Sequence, residues 1–424
     1  MSRLITEPET SSRARKAVRG GLLGNFVDQV DIFLPVIALA PAAAVVLGPD
    51  PAQTGLIFVA TLLGRPLGAA VFGSLADRYG RTSTTKIAIA GIAITTLLIA
   101  LIPNHDLGGA ATLWAFVALR FVGGIFLGGE YSAAIPLAME WSAPRRRGLL
   151  SGGIMAMSPL ANSFIAALTL TLLQVLGADD YAMWGWRMPF IAGALLAVAL
   201  FFYYSAGVHD SPVSTSARHP RTRPLADILV GPFRHQLWQV FTLMTGLWLF
   251  TQMAIPVLTG LLSKAPQIGP TTVPLIMLVA TLVSAAAMIA SGAISQRIGR
   301  RRFFVVFGGL AIIAAPLALM WAMSSQGAGA VLAVTVVQIV TVSAYGPVGA
   351  YLAERFPAAV RSSGYGVGYS LSMVIPALYP FWLPGFQSSL GAGPAVAVVL
   401  AAAAALLVIG ALLGPDPDRA SPLE

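Results

Sequence analysis

Apolar residues in this chain come in long, nearly unbroken runs rather than in the one-sided patterns of elements that face water. Twelve such runs begin near Val18, Thr54, Thr84, Ala111, Gly148, Arg187, Gln236, Thr271, Phe303, Ala328, Ser362 and Gly393. Each is about 20 residues, the length a helix rising about 1.5 Å per residue needs to cross about 30 Å of hydrocarbon. Pro, Gly, Asn and charged residues collect between the runs, as turns require. In lipid every backbone polar group must be satisfied internally, which a helix does within one segment. The pattern therefore predicts an all-α membrane protein with twelve transmembrane helices. The first run is too long for the apolar region of a secretory leader and contains Asp28 and Asp31, so it is read as a span.

Composition narrows the classes further. Of 424 residues 57% are hydrophobic and 10% charged, against roughly 25% charged in soluble domains, which excludes a water-soluble globule. The absence of cysteine excludes disulfides, thiolate metal sites and a cysteine nucleophile. Of the 26 basic residues, 22 fall in alternate inter-span segments, from Arg13, Arg15, Lys16 and Arg19, with Arg3 before them, through Arg218 and Arg221 to Arg419. The opposite segments hold only Arg187 and Lys264, and Arg65 and Arg120 lie inside spans. Basic segments stay on the cytoplasmic side, so both termini are expected in the cytoplasm and the protein in a plasma (inner) membrane. The net charge of +9 then reflects topology in the lipid bilayer, and no nucleic-acid partner is expected.

The chain repeats itself. Gly73, Asp77, Arg78, Gly80 and Arg81 after the second span return as Gly292, Gln296, Arg297, Gly299 and Arg300 after the eighth, an offset of 292 − 73 = 219. Glu140, Pro144, Arg145 and Gly148 are echoed by Glu354, Pro357, Arg361 and Gly364. Two six-helix bundles follow, over residues 20–205 and 236–413. A cytoplasmic linker over 206–235 joins them, and tails occupy 1–19 and 414–424. Parallel repeats of this kind build a transport site at their interface.

Six motifs carry a family resemblance. They are GNFVDQVD (24–31), RPLGAAVFGSLADRYGR (65–81), RFVGGIFLGGEYSAA (120–134), EWSAPRRRG (140–148), WGWRMPF (184–190) and AERFPAAVRSSGYGVGY (353–369). Together they resemble the major facilitator superfamily and, within it, the metabolite:proton symporters. The resemblance implies alternating access, in which two bundles rock about a central site and proton entry drives uptake of a small metabolite. The chain departs from that pattern at Asp28 and Gln29, at Leu34, Pro35 and Val36, at Gln296, and at His209, Asp210 and Ser211.

An ionisable group at mid-bilayer costs on the order of 3 kcal/mol, so each one needs a reason. Helical rise puts Asp28 about 15 Å from the cytoplasmic edge, and Arg65 and Arg120 about 16 and 13 Å from the outer edge. Asp28 and Asp31 share one helix face. Nearby carboxylates resist joint ionisation, which makes them candidates to carry the proton. Arg65 and Arg120 balance them and are candidates to bind an anionic or zwitterionic substrate through their planar forks. The four are expected to converge on one aqueous cavity; the competing reading is a permanent ion-pair network that fixes packing. Glu130 lies too deep to reach Arg120, and Gly128 and Gly129 let a neighbouring helix approach it. The resemblance places Glu130 on the proton pathway with Asp28, Asp31 and Arg120. Substrate contacts are expected from Arg65, Arg120, Asn25, Gln252, Tyr345 and Tyr369. Gln338 and Tyr365 are further polar candidates, which ordinary interhelical hydrogen bonding would equally explain. Pro256, Pro347, Pro376 and Pro380 are expected to bend their helices.

At the cytoplasmic face, Gly73 and Gly80 permit tight turns, while Asp77, Arg78 and Arg81 can bridge helix ends. The resemblance makes them a gate that latches the outward-facing state, with Glu140, Arg145, Glu354 and Arg361. Retention of basic charge on one side explains part of the same pattern. A membrane-embedded enzyme fits poorly. His105, His209, His219 and His235 all lie in loops or at a span edge, leaving no intramembrane metal or Ser-His site. No cofactor or metal is expected. The leading reading is proton-coupled symport of a small organic acid, a mono- or dicarboxylate, by a monomer. The alternative is uptake of a zwitterionic osmolyte or amino acid such as betaine or proline.

Overall fold

The computed structural model describes residues 7–48, 50, 52–217, 223–264, 272–416 and 423. The expected span start at Thr271, together with Arg3, Arg218, His219, Arg221 and Arg419, lies outside the described residues. Everything regular among the described residues is helical.

Twelve spans form if one bent pair counts as a single crossing. They are α1 (Ser11–Leu47), α2 (Gln53–Tyr79), α3 (Arg81–Ala100), α4 (Ala110–Glu140), α5 (Pro144–Leu176), α6 (Arg187–Ser205), α7 (Arg234–Ser263), α8 (Thr272–Ile298), α9 (Arg300–Ser324), α10 (Gly327–Arg355), α11 (Ala358–Ala377 with Tyr379–Leu390) and α12 (Ala392–Leu412). The first helix is continuous from Glu7, well before the apolar run begins at Val18, because helix needs only backbone pairing and the polar first turns extend past the lipid. The expected bends occur. A wide π turn at Met253–Val257 surrounds Pro256, α10 tightens at Val342–Tyr345 just before Pro347, and α11 turns by 45° between Pro376 and Pro380. A proline removes one backbone donor and crowds the preceding turn.

The outside of the spans is apolar, and several arginines are buried within the protein. Leu195, Phe202, Leu310 and Ile313 are exposed, whereas Arg65, Arg81, Arg120, Arg147, Arg300 and Arg361 are among the largest fully buried side chains. Small residues make the packing close. Gly64 and Gly68 of α2 lie against the backbone of Phe121 and Ile125 in α4, and Gly124 and Gly128 of α4 lie against Thr61 and Arg65. These two Gly-x3-Gly rows let the helix axes approach until backbones touch, which is how association proceeds without a hydrophobic drive between helices.

Two seams join the bundles: α2 runs against α11, and α5 against α8. They are equivalent under the sequence repeat. Gly73 of α2 faces the backbone of Ser362 and Ser363, and Gly152 of α5 faces Met288 and Ile289. Gly80 (φ 118°) and Gly299 (φ 112°) make the turns after α2 and α8 in a backbone region that side chains disfavour.

Candidate functional site

Between the bundles, towards the centre of the spans, lies a cavity of about 70 Å³, several times what one buried water needs, roughly 10–15 Å³. The first bundle contributes Asn25, Gln29 and Phe33 from α1, spaced by four so that they share one face, and Met155, Ser158, Pro159 and Asn162 from α5. The second contributes Trp248, Thr251 and Ile255 from α7, Thr281, Ser284 and Met288 from α8, Gln338, Val342 and Tyr345 from α10, and Tyr369 from α11. Among the described residues its wall contains no charged side chain. Ser158 donates to Gln29 at 2.8 Å and Asn25 donates to the Ile154 carbonyl at 2.5 Å. Four polar groups of the wall, Asn25 Oδ1, Asn162 Oδ1, Gln338 Nε2 and the Tyr345 hydroxyl, are buried without a hydrogen-bond partner among the described residues. Such orphans cost free energy unless something else fills the role. Trp248 stands edge-on to Tyr345 at 5.8 Å and to Tyr369 at 5.1 Å between ring centroids.

The expected convergence of Asp28, Asp31, Arg65 and Arg120 on this cavity does not occur. They form two separate buried groups, neither in its wall. Arg120 donates to the Asp31 carboxylate at 2.8 Å and to its carbonyl at 2.9 Å. The Thr96 hydroxyl donates to the same carboxylate, and the guanidinium lies over the Phe190 ring at 5.3 Å. Charge there is balanced and one carboxylate oxygen holds each donor. The second group is looser. Arg65 Nη2 is 3.6 Å from Asp28, beyond hydrogen-bond range, and both Asp28 oxygens, both Glu130 oxygens, and Arg65 Nε and Nη2 are buried without hydrogen bonds. Glu130 reaches this group over Gly24, one turn before Asp28, where a Cβ would strike its carboxylate. Two carboxylates thus stand near one guanidinium, with only Asp28 within 4 Å of it among the described residues. The residues three apart on α1 share a face, but each is claimed by a different neighbouring helix, which spacing along one helix could not disclose.

On the basic face the seams are closed by a repeated set of interactions. Asp77 accepts the backbone N–H groups of Ser362 and Ser363 at 2.9 Å each, capping α11 of the other bundle. Gln296 accepts the Gly148 N–H at 2.9 Å, capping α5. Glu140 pairs with Arg81 of its own bundle and with Arg361 of the other, the latter at 2.5 Å. Glu354 pairs with Arg300 at 3.0 Å in its own bundle and with Arg147 across the seam at 3.2 Å. The linker adds to this face. The Ser211 hydroxyl donates to Glu140, Asp210 accepts from the Thr82 N–H and hydroxyl at 2.8 Å each, and Trp141 donates to the His209 carbonyl at 3.0 Å.

Residues 21–380 match the Major Facilitator Superfamily. This chain is a member of that superfamily. This major facilitator is 29% identical over 412 residues to the inner membrane metabolite transport protein YhjE of Escherichia coli K12, covering 94% of this chain and 93% of that one. It is 26% identical over 381 residues to the alpha-ketoglutarate permease of the same strain, 86% of each chain. It is 27% identical over 389 residues to the glycine betaine/proline/ectoine/pipecolic acid transporter OusA of Dickeya dadantii, 87% of this chain and 76% of that one. Among solved structures the proton:xylose symporter XylE has the same fold, with a TM-score of 0.77, 17% identity and 95% of both chains covered. The chain is therefore a secondary transporter of metabolites and not an enzyme.

Among the expected site residues of this facilitator, Asn25, Tyr345 and Tyr369 lie in the cavity wall. Gln252 is buried in α7 but outside the wall; its neighbour Thr251 is in it, because one residue turns the helix by about 100°. Arg65 and Arg120 are likewise outside. At the basic face Gly73, Asp77, Gly80, Arg81, Glu140, Glu354 and Arg361 come together as expected. Arg78 is half-buried and Arg145 is exposed, neither in an ion pair among the described residues. The place expected for Arg145 belongs to Arg147. The repeat held the signal: 354 − 140 and 361 − 147 both equal 214, whereas Arg145 gives 216. Gln29, Ser158, Asn162, Trp248 and Ser284 were not among the expected contacts; only the i, i+4 relation of Gln29 to Asn25 could have pointed to any of them.

Proposed function

We propose that the chain is a proton-coupled importer of a small zwitterion of the betaine or proline type. The observation that carries this reading is the uncharged wall of the cavity. An anion entering it would leave its charge uncompensated in a poorly solvated space. A zwitterion is neutral overall. Its carboxylate suits the donors Gln338 Nε2 and the Tyr345 hydroxyl, and its ammonium suits the Trp248, Tyr345 and Tyr369 rings and the oxygens of Asn25 and Asn162. This departs from the organic acid expected from the sequence, since that expectation rested on two arginines at the site. A second reading keeps the organic acid: Arg65 has unpartnered nitrogens and lies behind Tyr369, so a shift of that ring would present a cation to a carboxylate.

In this reading protons enter through the membrane charges Asp28, Asp31, Arg120 and Glu130. The basic face is the cytoplasmic one, with both termini there, in a plasma membrane, and the protein works as a monomer of two bundles over residues 20–205 and 236–413. The described state is then latched on the cytoplasmic side. Purified protein in liposomes tests this. With an inside-alkaline gradient, glycine betaine or proline is expected to accumulate and α-ketoglutarate not to. Accumulation of α-ketoglutarate alone favours the second reading, and uptake indifferent to the gradient refutes proton coupling.

A further inference from the structure

One aromatic side chain belongs to both the cavity and the buried charges. Tyr369 of α11 is in the cavity wall, and its other neighbours are Tyr131 of α4, stacked at 4.1 Å between centroids, and the Arg65 guanidinium, 5.9 Å from its ring. Arg65 is also 5.3 Å from the Tyr131 ring. Arg65 is 3.6 Å from Asp28 of α1, Glu130 of α4 reaches over Gly24 one turn before Asp28, and Tyr365 packs on Tyr131 at 5.6 Å. Trp248, another wall residue, donates to the Tyr369 carbonyl at 3.0 Å. The cavity is thus in line with the carboxylates through one ring, with Tyr131 on the first bundle and Tyr369 on the second. Any relative motion of the bundles must part or slide this stack.

We infer that the Tyr131–Tyr369 stack is the partition between the substrate cavity and the Arg65–Asp28–Glu130 group, and that Tyr369 is a positioning residue which links substrate occupancy to protonation of that group. A ligand against Tyr369 and Trp248 holds the ring over Arg65 or displaces it. The ring covers the cation electrostatically and excludes water from the carboxylates. Phenylalanine preserves both effects; leucine preserves neither the quadrupole nor the flat cover. The coupling half of this inference rests on the proton-coupled reading above, while the partition half does not.

Two measurements test it. Reconstituted protein is treated with a water-soluble carbodiimide and labelling of Asp28 and Glu130 is mapped by mass spectrometry. Tyr369→Leu, and independently Tyr131→Leu from the other bundle, are expected to raise labelling roughly tenfold, with Tyr369→Phe at the wild-type level. Unchanged labelling in a leucine variant that elutes and melts like wild type overturns the partition. In liposomes, glycine betaine and α-ketoglutarate are then offered with a pH gradient. Tyr131→Leu, which alters the stack from outside the cavity wall, is expected to keep counterflow but lose gradient-driven accumulation, while Tyr131→Phe retains both. Wild-type coupling in Tyr131→Leu overturns the link. If wild type itself shows no gradient-driven uptake of either compound, proton coupling fails and the labelling alone decides the partition.

Discussion

The carboxylate of Asp77 accepts the backbone N–H of Ser363 at 2.9 Å across the seam between bundles. With the Ser362 N–H it satisfies two of the donors that the start of α11 leaves unpaired, and its negative charge faces the positive end of that helix. Gln296 caps α5 with a neutral oxygen that accepts from the Gly148 N–H and also from Arg300, so the two seams share a capping relation and differ in charge and partners.

Replacing Asp77 by Asn keeps an acceptor and removes the charge. Bonds to ionised groups contribute about 1.5–3 kcal/mol against about 0.5–1.5 for neutral ones. Exchange transport by Asp77→Asn is expected to fall on the order of tenfold, with substrate Kd nearly unchanged. Gln296→Ala, which removes the Gly148 bond and the bond from the Arg300 guanidinium at 2.7 Å, is likewise expected to cost on the order of tenfold. Tracer exchange and equilibrium binding on the same preparations check both.

The absence of cysteine makes the latch directly testable. A Cβ on Gly349 of α10 would lie 3.1 Å from the Ser151 Oγ of α5, close to the spacing a disulfide requires. Ser151→Cys with Gly349→Cys is expected to cross-link under mild oxidation and stop transport, with recovery on reduction. Gel mobility after cleavage between the bundles, followed by uptake before and after dithiothreitol, reads the result.

Asp28 and Asp31 are expected to behave differently although they are three residues apart. Asp28→Asn or Glu130→Gln removes one of the two carboxylates of the loosely paired group, so gradient-driven accumulation should vanish while counterflow persists. Asp31→Asn leaves the buried Arg120 without its counter-charge, which costs about 3–5 kcal/mol. Its melting temperature should drop sharply, and Asp31→Asn with Arg120→Met should recover part of the loss. Thermal melts and paired uptake assays separate the two groups.

In the cavity, the Tyr345 hydroxyl and Gln338 Nε2 have no hydrogen-bond partner among the described residues; Tyr345→Phe removes the first, and Gln338→Ala removes the amide that carries the second. Each is expected to raise KM roughly three- to tenfold without altering the melting temperature, the range for one hydrogen bond of about 0.5–1.5 kcal/mol. Loss of stability with unchanged KM would assign these groups to packing.

The twelve spans, their approximate starts and the two-fold repeat were legible in the order of residues. Lipid imposes length and apolarity on every crossing segment, and a duplicated latch leaves Gly73 to Arg81 visible again from Gly292 to Arg300. The interacting residues of the basic face were legible for the same reason, since they sit in short motifs. Arg78 and Arg145 lie outside those ion pairs, and Arg147 stands where the constant offset of the repeat places the counterpart of Arg361.

What the sequence could not determine was which helix claims each membrane charge. Asp28 and Asp31 look like one pair along α1, yet Arg65 of α2 takes the first and Arg120 of α4 the second. Helical spacing fixes the direction in which a side chain leaves its own helix, but not the neighbour it meets. The cavity wall has the same origin, assembled from six helices whose contributing residues are far apart in sequence. Whether a buried arginine lines that wall or stands behind a tyrosine is decided only when the bundles pack, because a few ångströms then separate a binding group from a covered one.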